Sequence, residues 1–181
     1  MYKILRREEA RSAALEQLYA YWEGKRAGRT LPLKAGIDPA EIKDILPYVI
    51  ISEILDEPLR VRYRLVGTEI VKLRGREFTG KWLHEVQWNP VFLDRLLREY
   101  RVLIDERRPL LGADDLYSVD GPRVAYEWGM FPLSEDGERV SHCLAIEDHR
   151  GLERTALRLR PNWVHSSAPA GDKPRSGGRG R

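Results

Sequence analysis

Residues 60–65 alternate strictly between polar and apolar side chains, with arginines to one side and Val61, Tyr63 and Leu65 to the other. This is the period of a β-strand with one buried face. Gly67 interrupts the alternation directly afterwards. We therefore predict a strand that ends at Gly67.

A short helix is predicted to follow this strand. Thr68 is a suitable N-cap, Ile70 and Leu73 supply an apolar side, and Gly75 suits the C-terminal end. A second short segment runs over residues 78–86. A strand that turns directly into short helices predicts a cup built over one face of a sheet.

Two longer stretches have helical spacing. Residues 6–26 place apolar side chains on one side, with Tyr21 and Trp22 near the end. This helix packs either on its own domain or against a second copy. Residues 90–106 form the second helix, where Arg95 and Glu99 make an i, i+4 pair on the polar side.

Four further segments are predicted as strands, at residues 48–55, 110–118, 123–133 and 140–147. A turn at 120–122 separates the second from the third. The pair Asp114-Asp115 is interpreted as part of a solvated turn or strand end. The predicted order is two strands, several helices and three antiparallel strands.

Composition and charge restrict the class of protein. The 181 residues are 42% hydrophobic and 33% charged, which fits one domain with a core. The charged N-terminus lacks the apolar segment of a secretory signal, and no run of apolar residues is long enough to span a membrane. The single Cys143 excludes an internal disulfide. We therefore expect a cytoplasmic protein. Residues 166–181 hold four basic residues against Asp172 and account for the whole net charge of +3. We expect this tail to be disordered, and we expect no nucleic-acid binding by the neutral body.

Several short motifs resemble one family. They are Asp38-Pro39, Ile45-Leu46-Pro47, residues 63–70 (Tyr-Arg-Leu-Val-Gly-Thr-Glu-Ile), Gly75 and Thr79-Gly80. Their order along the chain resembles the pattern of the stand-alone PAS proteins common in alphaproteobacteria, over roughly residues 12–148. The resemblance implies an α+β PAS fold, with a five-stranded antiparallel sheet, helices over one face and an N-terminal flanking helix. It also implies a sensory or regulatory role rather than catalysis.

This resemblance divides the chain into four parts. We expect an N-terminal helix over residues 1–28, the PAS domain over 29–150, a C-terminal extension over 151–165 and the basic tail over 166–181.

The residues that most often carry catalysis, metals or cofactors are scattered. His84, His142, His149 and His165 form no metal-ligand pair, and Cys143 alternates with small residues in a predicted strand, which favours packing. PAS domains that bind flavin carry an Asn-Cys pair in a helical motif, which this chain lacks. Members that bind haem use an axial histidine, and His84 is better explained as a surface or capping residue. We therefore expect no enzyme activity, neither haem nor flavin, and leave any other cofactor open.

The candidate ligand site is the aromatic-lined interior of the cup. Its predicted residues come from the central strand, the short helices, the long helix and the last two strands: Tyr63, Leu65, Ile70, Leu73, Trp82, Leu97, Tyr100, Tyr126, Trp128, Met130, His142 and Leu144. Such tyrosine, tryptophan and histidine side chains bring polar atoms into apolar walls, as small-molecule sites do. Two alternatives stay open: the same residues simply fill the core, or a one-residue error in strand parity exchanges the two faces.

The functional hypothesis is a PAS-type sensory or regulatory module that binds a small ligand, a protein partner or both, and signals to a partner in trans. We expect a homodimer formed through the N-terminal helix and the outer sheet face. The main alternative is a ligand-free scaffold for protein interaction with a filled core. A small enzyme is the third, which a polar triad converging inside the cup would favour.

Overall fold

The computed structural model of the chain describes residues 2–87, 89–117 and 123–149. The predicted turn at 120–122, the last residue of the predicted strand at 110–118, the extension at 151–165 and the tail at 166–181 lie outside these residues. Among the described residues, no helix combines the length and the apolar composition that a membrane span requires.

Within the described residues, six strands form one sheet in which all neighbours are antiparallel, in the order β1-β4-β5-β6-β2-β3. They are β1 (Lys3–Leu5), β2 (Val49–Leu55), β3 (Arg60–Val66), β4 (Leu110–Tyr117), β5 (Arg123–Leu133) and β6 (His142–Asp148). The predicted α+β architecture with an antiparallel sheet is confirmed, with one strand more than the five expected.

The described helices are α1 (Ala13–Arg26), α2 (Thr68–Arg74), α3 (Leu83–Val86) and α4 (Pro90–Glu106), with short 3-10 turns between them. The predicted N-cap of α2 is one residue too late, because Gly67 occupies that position and Thr68 is the first helical residue. Gly75 ends α2 in the left-handed region at φ 68°, as a glycine permits.

The helices divide between the two faces of the sheet. On one face, called the cup face here, α2, α3 and α4 pack with β2, β3 and β5 around a core that includes Val61, Ile70 and Leu103. On the opposite, outer face, α1 packs over β5 and β6 around Leu18, Phe131 and Ile146. Both faces of the central strands are therefore buried.

The N-terminal helix begins later than the sequence pattern predicts. Ser12 caps α1 by accepting a hydrogen bond from the Leu15 amide, and the amides of Arg11 and Ser12 donate to the Glu127 carboxylate at distances of 2.8–3.0 Å. These contacts fix the start of the helix at the sheet. The residues before it form a 3-10 turn (Arg7–Glu9) and β1, which pairs with β4 as the additional strand.

The apolar side of α1 packs on its own sheet, so the structure shows the first of the two interpretations of this helix. The side chains of Leu15, Leu18 and Trp22 are almost fully buried. Trp22 Nε1 donates a hydrogen bond of 2.7 Å to the Pro132 carbonyl. Leu15 fits only because residue 129 is a glycine, since a Cβ there would lie 2.4 Å from Leu15 Cδ1.

A β-bulge between Ile51 and Ser52 changes the side-chain parity along β3. Ser52 pairs with Tyr63, whereas Ile51 pairs with Leu65, so that Arg64 is left between two paired residues. Directly opposed residues share a face, and Ile51 packs in the outer core. The prediction that Leu65 faces the cup was therefore wrong.

The parity of β6 was also assigned to the wrong face. Leu144 and Ile146 pack in the outer core against α1, while Cys143 belongs to the cup core. His142 has the same parity as Leu144 and pairs with Glu53. Leu144 and His142 therefore do not face the cup.

Candidate functional site

A cavity of about 70 Å³ lies between the cup face of the sheet and helices α2 and α4. Five of the twelve predicted site residues line it: Tyr63, Tyr100, Tyr126, Trp128 and Met130. Its other lining residues are Ile50, Arg74, Phe78, Gln87, Phe92, Arg95, Leu96, Glu99 and Glu147. The cavity is thus lined by charged side chains as well as the expected aromatic ones.

Three more predicted residues belong to the surrounding core without lining the cavity. Ile70 is fully buried in the cup core, and Leu73 and Leu97 pack against that core while partly exposed. They hold α2 and α4 in place on the sheet.

The remaining predicted residues lie elsewhere. Leu65, His142 and Leu144 are displaced by the two parity changes, and the buried His142 ring contacts the Ser141 hydroxyl at 3.0 Å. Trp82 is half-buried beside the outer edge of the sheet, where the Arg60 guanidinium lies 4.9 Å from its ring centroid.

One buried ion pair joins α2 to the last strand of the sheet. Arg74 Nη2 lies 2.7 and 2.9 Å from the two carboxylate oxygens of Glu147, and His149 Nε2 lies 3.2 Å from the same carboxylate. Burial alone would raise the pKa of Glu147, but Arg74 and the His149 hydrogen bond hold it well below its usual range. Glu147 is therefore a carboxylate at neutral pH.

Two tyrosines stand on the cavity wall beside this pair. Burial raises the pKa of Tyr63 to about 12 and raises that of Tyr126 well above its ordinary value. The Tyr126 ring lies 4.8 Å from the His149 ring, centroid to centroid. Both hydroxyls are neutral at physiological pH, so they serve as hydrogen-bonding groups and not as charges.

A second charged cluster lies on α4 and β4. Arg95 Nη1 forms an ion pair of 2.9 Å with Asp114, and Arg95 Nε lies 3.7 Å from Glu99 Oε1. Asp114 and Asp115 are buried within β4, so their interpretation as a solvated turn or strand end was wrong. Arg95 and Glu99 line the cavity and do not form the solvent-facing pair that the sequence suggested.

The N-terminal strand reaches this second cluster through Tyr2. The Tyr2 ring stacks on Trp128 with centroids 6.1 Å apart, and the Arg95 guanidinium lies 4.3 Å from the Tyr2 centroid. Trp128 in turn lies against β4, where a Cβ on Gly112 would come within 2.2 Å of its ring. The additional strand thus places an aromatic side chain beside the cavity.

Glu99 is a carboxyl group of this site whose pKa lies near neutral pH. It is buried, and its burial raises its pKa from 4.5 to about 7, against the lowering effects of Tyr2 and Arg95. A modest change in its surroundings therefore changes its protonation state at physiological pH.

The stability difference between wild type and a Glu99→Gln variant is expected to depend on pH. Between pH 4.5 and 7, Glu99 keeps its proton in the folded state but releases it in the unfolded chain. The free energy of unfolding of wild type, relative to that of the variant, therefore falls as pH rises through this range. The expected fall is about 3 kcal/mol, with no further change at higher pH. Urea unfolding at a series of pH values measures it.

Two comparisons isolate this effect. Burial lowers the pKa of His142, so the contribution of His142 to stability is lost as pH falls. Both proteins contain His142, so this contribution cancels in the difference between them. Asp94→Asn on the exposed side of α4 is the control and is expected to give no such trend. A difference between wild type and Glu99→Gln that stays constant from pH 4.5 to 7 would contradict the assigned environment of Glu99.

The lone cysteine lies next to the cavity wall and not in a reactive position. Cys143 is fully buried in the cup core, and burial raises the pKa of its thiol to about 12. Nearby, the hydroxyls of Ser52 and Tyr100 share a hydrogen bond of 2.9 Å. Among the described residues, no group of histidine, cysteine, aspartate and glutamate side chains has an arrangement that could hold a metal ion.

Part of what sequence reasoning missed was visible in the spacing. Phe92 was missed, although Phe92, Leu96 and the predicted Tyr100 recur every four residues along α4 and form the wall on that side. Glu147 shares the parity of Cys143, so the correct face of β6 would have placed it in the cup. No local pattern marks Arg74, because only the three-dimensional arrangement buries it against Glu147.

The comparisons with known proteins bear on this fold. A search of curated proteins finds no match. A solved structure described as an RNA-binding Light-Oxygen-Voltage receptor is similar, with a TM-score of 0.39, 16% identity, and coverage of 65% of this chain and 35% of that chain. The chain thus spans about a third of that receptor's length. The family model described as PAS domain matches residues 10–146, which is most of the sequence, and the chain therefore belongs to the PAS domain family.

Proposed function

We propose that this PAS domain is a sensory or regulatory module that binds a small ligand in the cavity of the cup and signals to a protein partner in trans. The observation that carries the proposal is the set of charged and hydroxyl-bearing side chains on the cavity wall. Burying charges costs free energy, and an apolar core of the same shape is often at least as stable. A polar cavity therefore favours a role in recognition over a role in packing.

The route from the cavity to the surface runs through the N-terminal strand. Tyr2 contacts both Trp128 and Arg95, which line the cavity, and it directly precedes β1 at the edge of the sheet. A ligand that moves Arg95 or Trp128 changes the packing of Tyr2 and thus the position of β1. In this proposal the occupied and empty forms present different N-terminal surfaces to the partner, with both states available before binding.

A homodimer through the N-terminal helix remains part of the proposal. It would use the exposed side of α1, because Leu15, Leu18 and Trp22 are already buried against the sheet of the same chain. The proposed setting is the cytoplasm, and the proposed activity is binding without catalysis.

Native mass spectrometry of the freshly purified protein, with an absorption spectrum of the same sample, tests the proposal. We expect a retained small molecule whose mass is lost on denaturation. Leu96→Phe extends a side chain into the cavity and is expected to abolish this extra mass. Leu97→Phe, on the adjacent position of α4 but not on the cavity wall, is the matched control and is expected to retain it.

A second candidate function is a ligand-free scaffold for protein interaction. The size of the cavity favours it, because about 70 Å³ is well below the roughly 300–1,000 Å³ typical of sites that enclose drug-sized ligands. If native mass spectrometry shows no retained molecule on the wild-type protein, its mass differs from that of the Leu96→Phe variant only by the substitution. This result would favour the scaffold over the sensor.

A further inference from the structure

Two arginines of β3 converge on one tryptophan, at the edge of the sheet opposite β1. The guanidinium carbons of Arg60 and Arg62 lie 4.9 and 5.6 Å from the centroid of the Trp82 ring. Arg60 is exposed, and Arg62 and Trp82 are half-buried. The strand therefore holds two positive charges beside one aromatic ring at the protein surface.

Among residues 2–87, 89–117 and 123–149, no carboxylate forms an ion pair with either guanidinium. Arg62 Nε donates instead to the neutral carbonyl of Gly80 at 3.0 Å. Glu53 is opposite Arg62 in the sheet, but its carboxylate lies 3.9 Å from Arg64. Like charges that are held close together repel, so an anionic group bound between Arg60 and Arg62 would relieve this repulsion.

The backbone fixes the tryptophan beside these arginines. Trp82 pairs with Arg62 in an isolated antiparallel bridge, and its amide donates to the Glu85 carboxylate at 2.7 Å. The Gly80 amide donates to the Tyr63 carbonyl at 2.7 Å. Tyr63 also lines the cavity, so the surface segment is hydrogen-bonded directly to the wall of the cup.

The outer side of β3 carries these side chains. Val61 and Tyr63 pack in the cup core, so the alternating Arg60 and Arg62 project from the opposite face. Helix α1 packs over β5 and β6 on that face and leaves Arg60 exposed. The surface is therefore open to a partner.

The composition of this surface favours a protein over a nucleic acid. Arginine and tryptophan are the residues enriched at the energetic centres of protein interfaces. Nucleic-acid binding depends on neutralising many phosphates, but the net charge of +3 lies in residues 166–181 and residues 1–165 carry no net charge. Two arginines suit a few carboxylates better than a long polyanion.

The spacing of the arginines indicates the shape of the partner. Alternate residues of a strand repeat about every 6.6 Å, and an extended peptide has the same repeat. Carboxylates at alternate positions of such a peptide therefore match Arg60 and Arg62. A guanidinium also presents its N–H groups in a fork that fits both oxygens of a carboxylate.

We propose that Arg60, Arg62 and Trp82 form a docking surface for an extended acidic segment of the protein partner, with carboxylates at alternate positions. The two carboxylates bind the guanidinium groups, and the segment covers the exposed part of the Trp82 ring. This inference rests on the proposed signalling to a protein partner in trans and adds the chemistry of that partner.

Labelled peptides test the matched spacing on the full chain at neutral pH. One probe alternates glutamate and threonine, and the second has the same composition with its glutamates in one block. We expect saturable binding of the alternating peptide by fluorescence anisotropy, about fivefold tighter than that of the block peptide. The basic residues at 173–181 attract both peptides alike, so their contribution cancels in this ratio.

Indole NMR locates the binding. The chain has five tryptophans, and Trp82→Phe identifies the signal of Trp82 by its loss. We expect the alternating peptide to shift this signal saturably, with the same dissociation constant as the anisotropy.

Arginine variants test the contacts. Arg60→Gln is expected to weaken binding of the alternating peptide about fivefold. Arg26→Gln is the matched control, because Arg26 also lies over a tryptophan, 5.6 Å from the Trp22 centroid, but is paired with Glu23 at 3.1 Å. It is expected to leave binding unchanged.

A charge reversal excludes unfolding as the cause of lost binding. Arg60→Glu is expected to lose affinity for the glutamate peptide and to bind an alternating lysine–threonine peptide more tightly than wild type does. Such a gain requires a folded surface at this position.

The other outcomes overturn the inference. Equal affinity for the alternating and block peptides, no saturable binding, or no effect of Arg60→Gln would contradict the docking surface. Tighter binding of a single-stranded oligothymidylate of equal charge, lost in Arg60→Gln, would assign the surface to nucleic acid. The ligand-binding function is decided separately by the retained mass in native mass spectrometry.

Discussion

Replacing Arg74 with methionine is expected to destabilise the folded domain by about 3–5 kcal/mol. The side chains of Arg74 and Glu147 are only 11% and 16% exposed, so the variant leaves a carboxylate in the cup without its counter-charge. Burial by itself disfavours that charge, and the Arg74 guanidinium, together with the His149 hydrogen bond, holds the pKa of Glu147 well below its usual range. Urea denaturation at neutral pH measures the free energy of unfolding.

The control and the double variant separate charge from packing. Lys72→Met on the exposed side of α2 removes a cation from the same helix and is expected to change stability by less than about 0.5 kcal/mol. Arg74→Met combined with Glu147→Gln removes both charges and is expected to recover most of the loss. A cost below about 1 kcal/mol for Arg74→Met alone would contradict a buried pair at this position.

The same ion pair explains why the site was only partly predictable. Arginine and glutamate are mostly surface residues, so a sequence reading assigns them to solvent unless a pattern indicates otherwise. Arg74 and Glu147 are 73 positions apart, and nothing local connects them. Large apolar and aromatic residues gave a better signal, because Tyr126, Trp128 and Met130 alternate within one strand and lie together on the cavity wall.

The errors in strand parity have a physical origin in the outer helix. Since α1 covers the face opposite the cup, β6 is buried on both sides and is apolar on both sides. Alternation then no longer indicates which side faces the cup. On β3 the alternation was read correctly, but the bulge at Ile51 and Ser52 exchanged the faces partway along the strand.

The additional strand was missed because β1 has only three residues and no pattern of its own. It is held by pairing with β4, by the stacking of Tyr2 on Trp128, and by surface ion pairs such as Lys3 with Glu9. Such a strand is stabilised by contacts between residues that are distant in sequence. The boundaries of α4, in contrast, were predicted correctly, because its periodicity and its Asn89 cap are local features of the sequence. The part of the cup that connects to the N-terminus is thus the part that the sequence reveals least.

Truncating Trp22 to alanine is expected to destabilise the domain by about 3–5 kcal/mol. The ring is 2% exposed, packs beside Phe131, and donates its indole hydrogen to the Pro132 carbonyl, so the variant leaves both a cavity and an unpaired carbonyl under α1. Thermal and urea unfolding measure the loss. Gln17→Ala, on the exposed side of the same helix, is the control and is expected to stay within about 0.5 kcal/mol of wild type.

The dependence of this loss on protein concentration distinguishes the two roles considered for α1. If Trp22 packs within its own chain, the difference in unfolding midpoint between Trp22→Ala and wild type is the same at every protein concentration. If the apolar side of α1 joined two copies, wild type would gain stability with concentration by mass action while the variant would not. A difference that widens with protein concentration would contradict the packing of α1 on its own sheet. A constant difference means that the apolar side of α1 is not available to a partner. A ligand in the cup would then act on a partner through the exposed side of α1 or through the N-terminal strand.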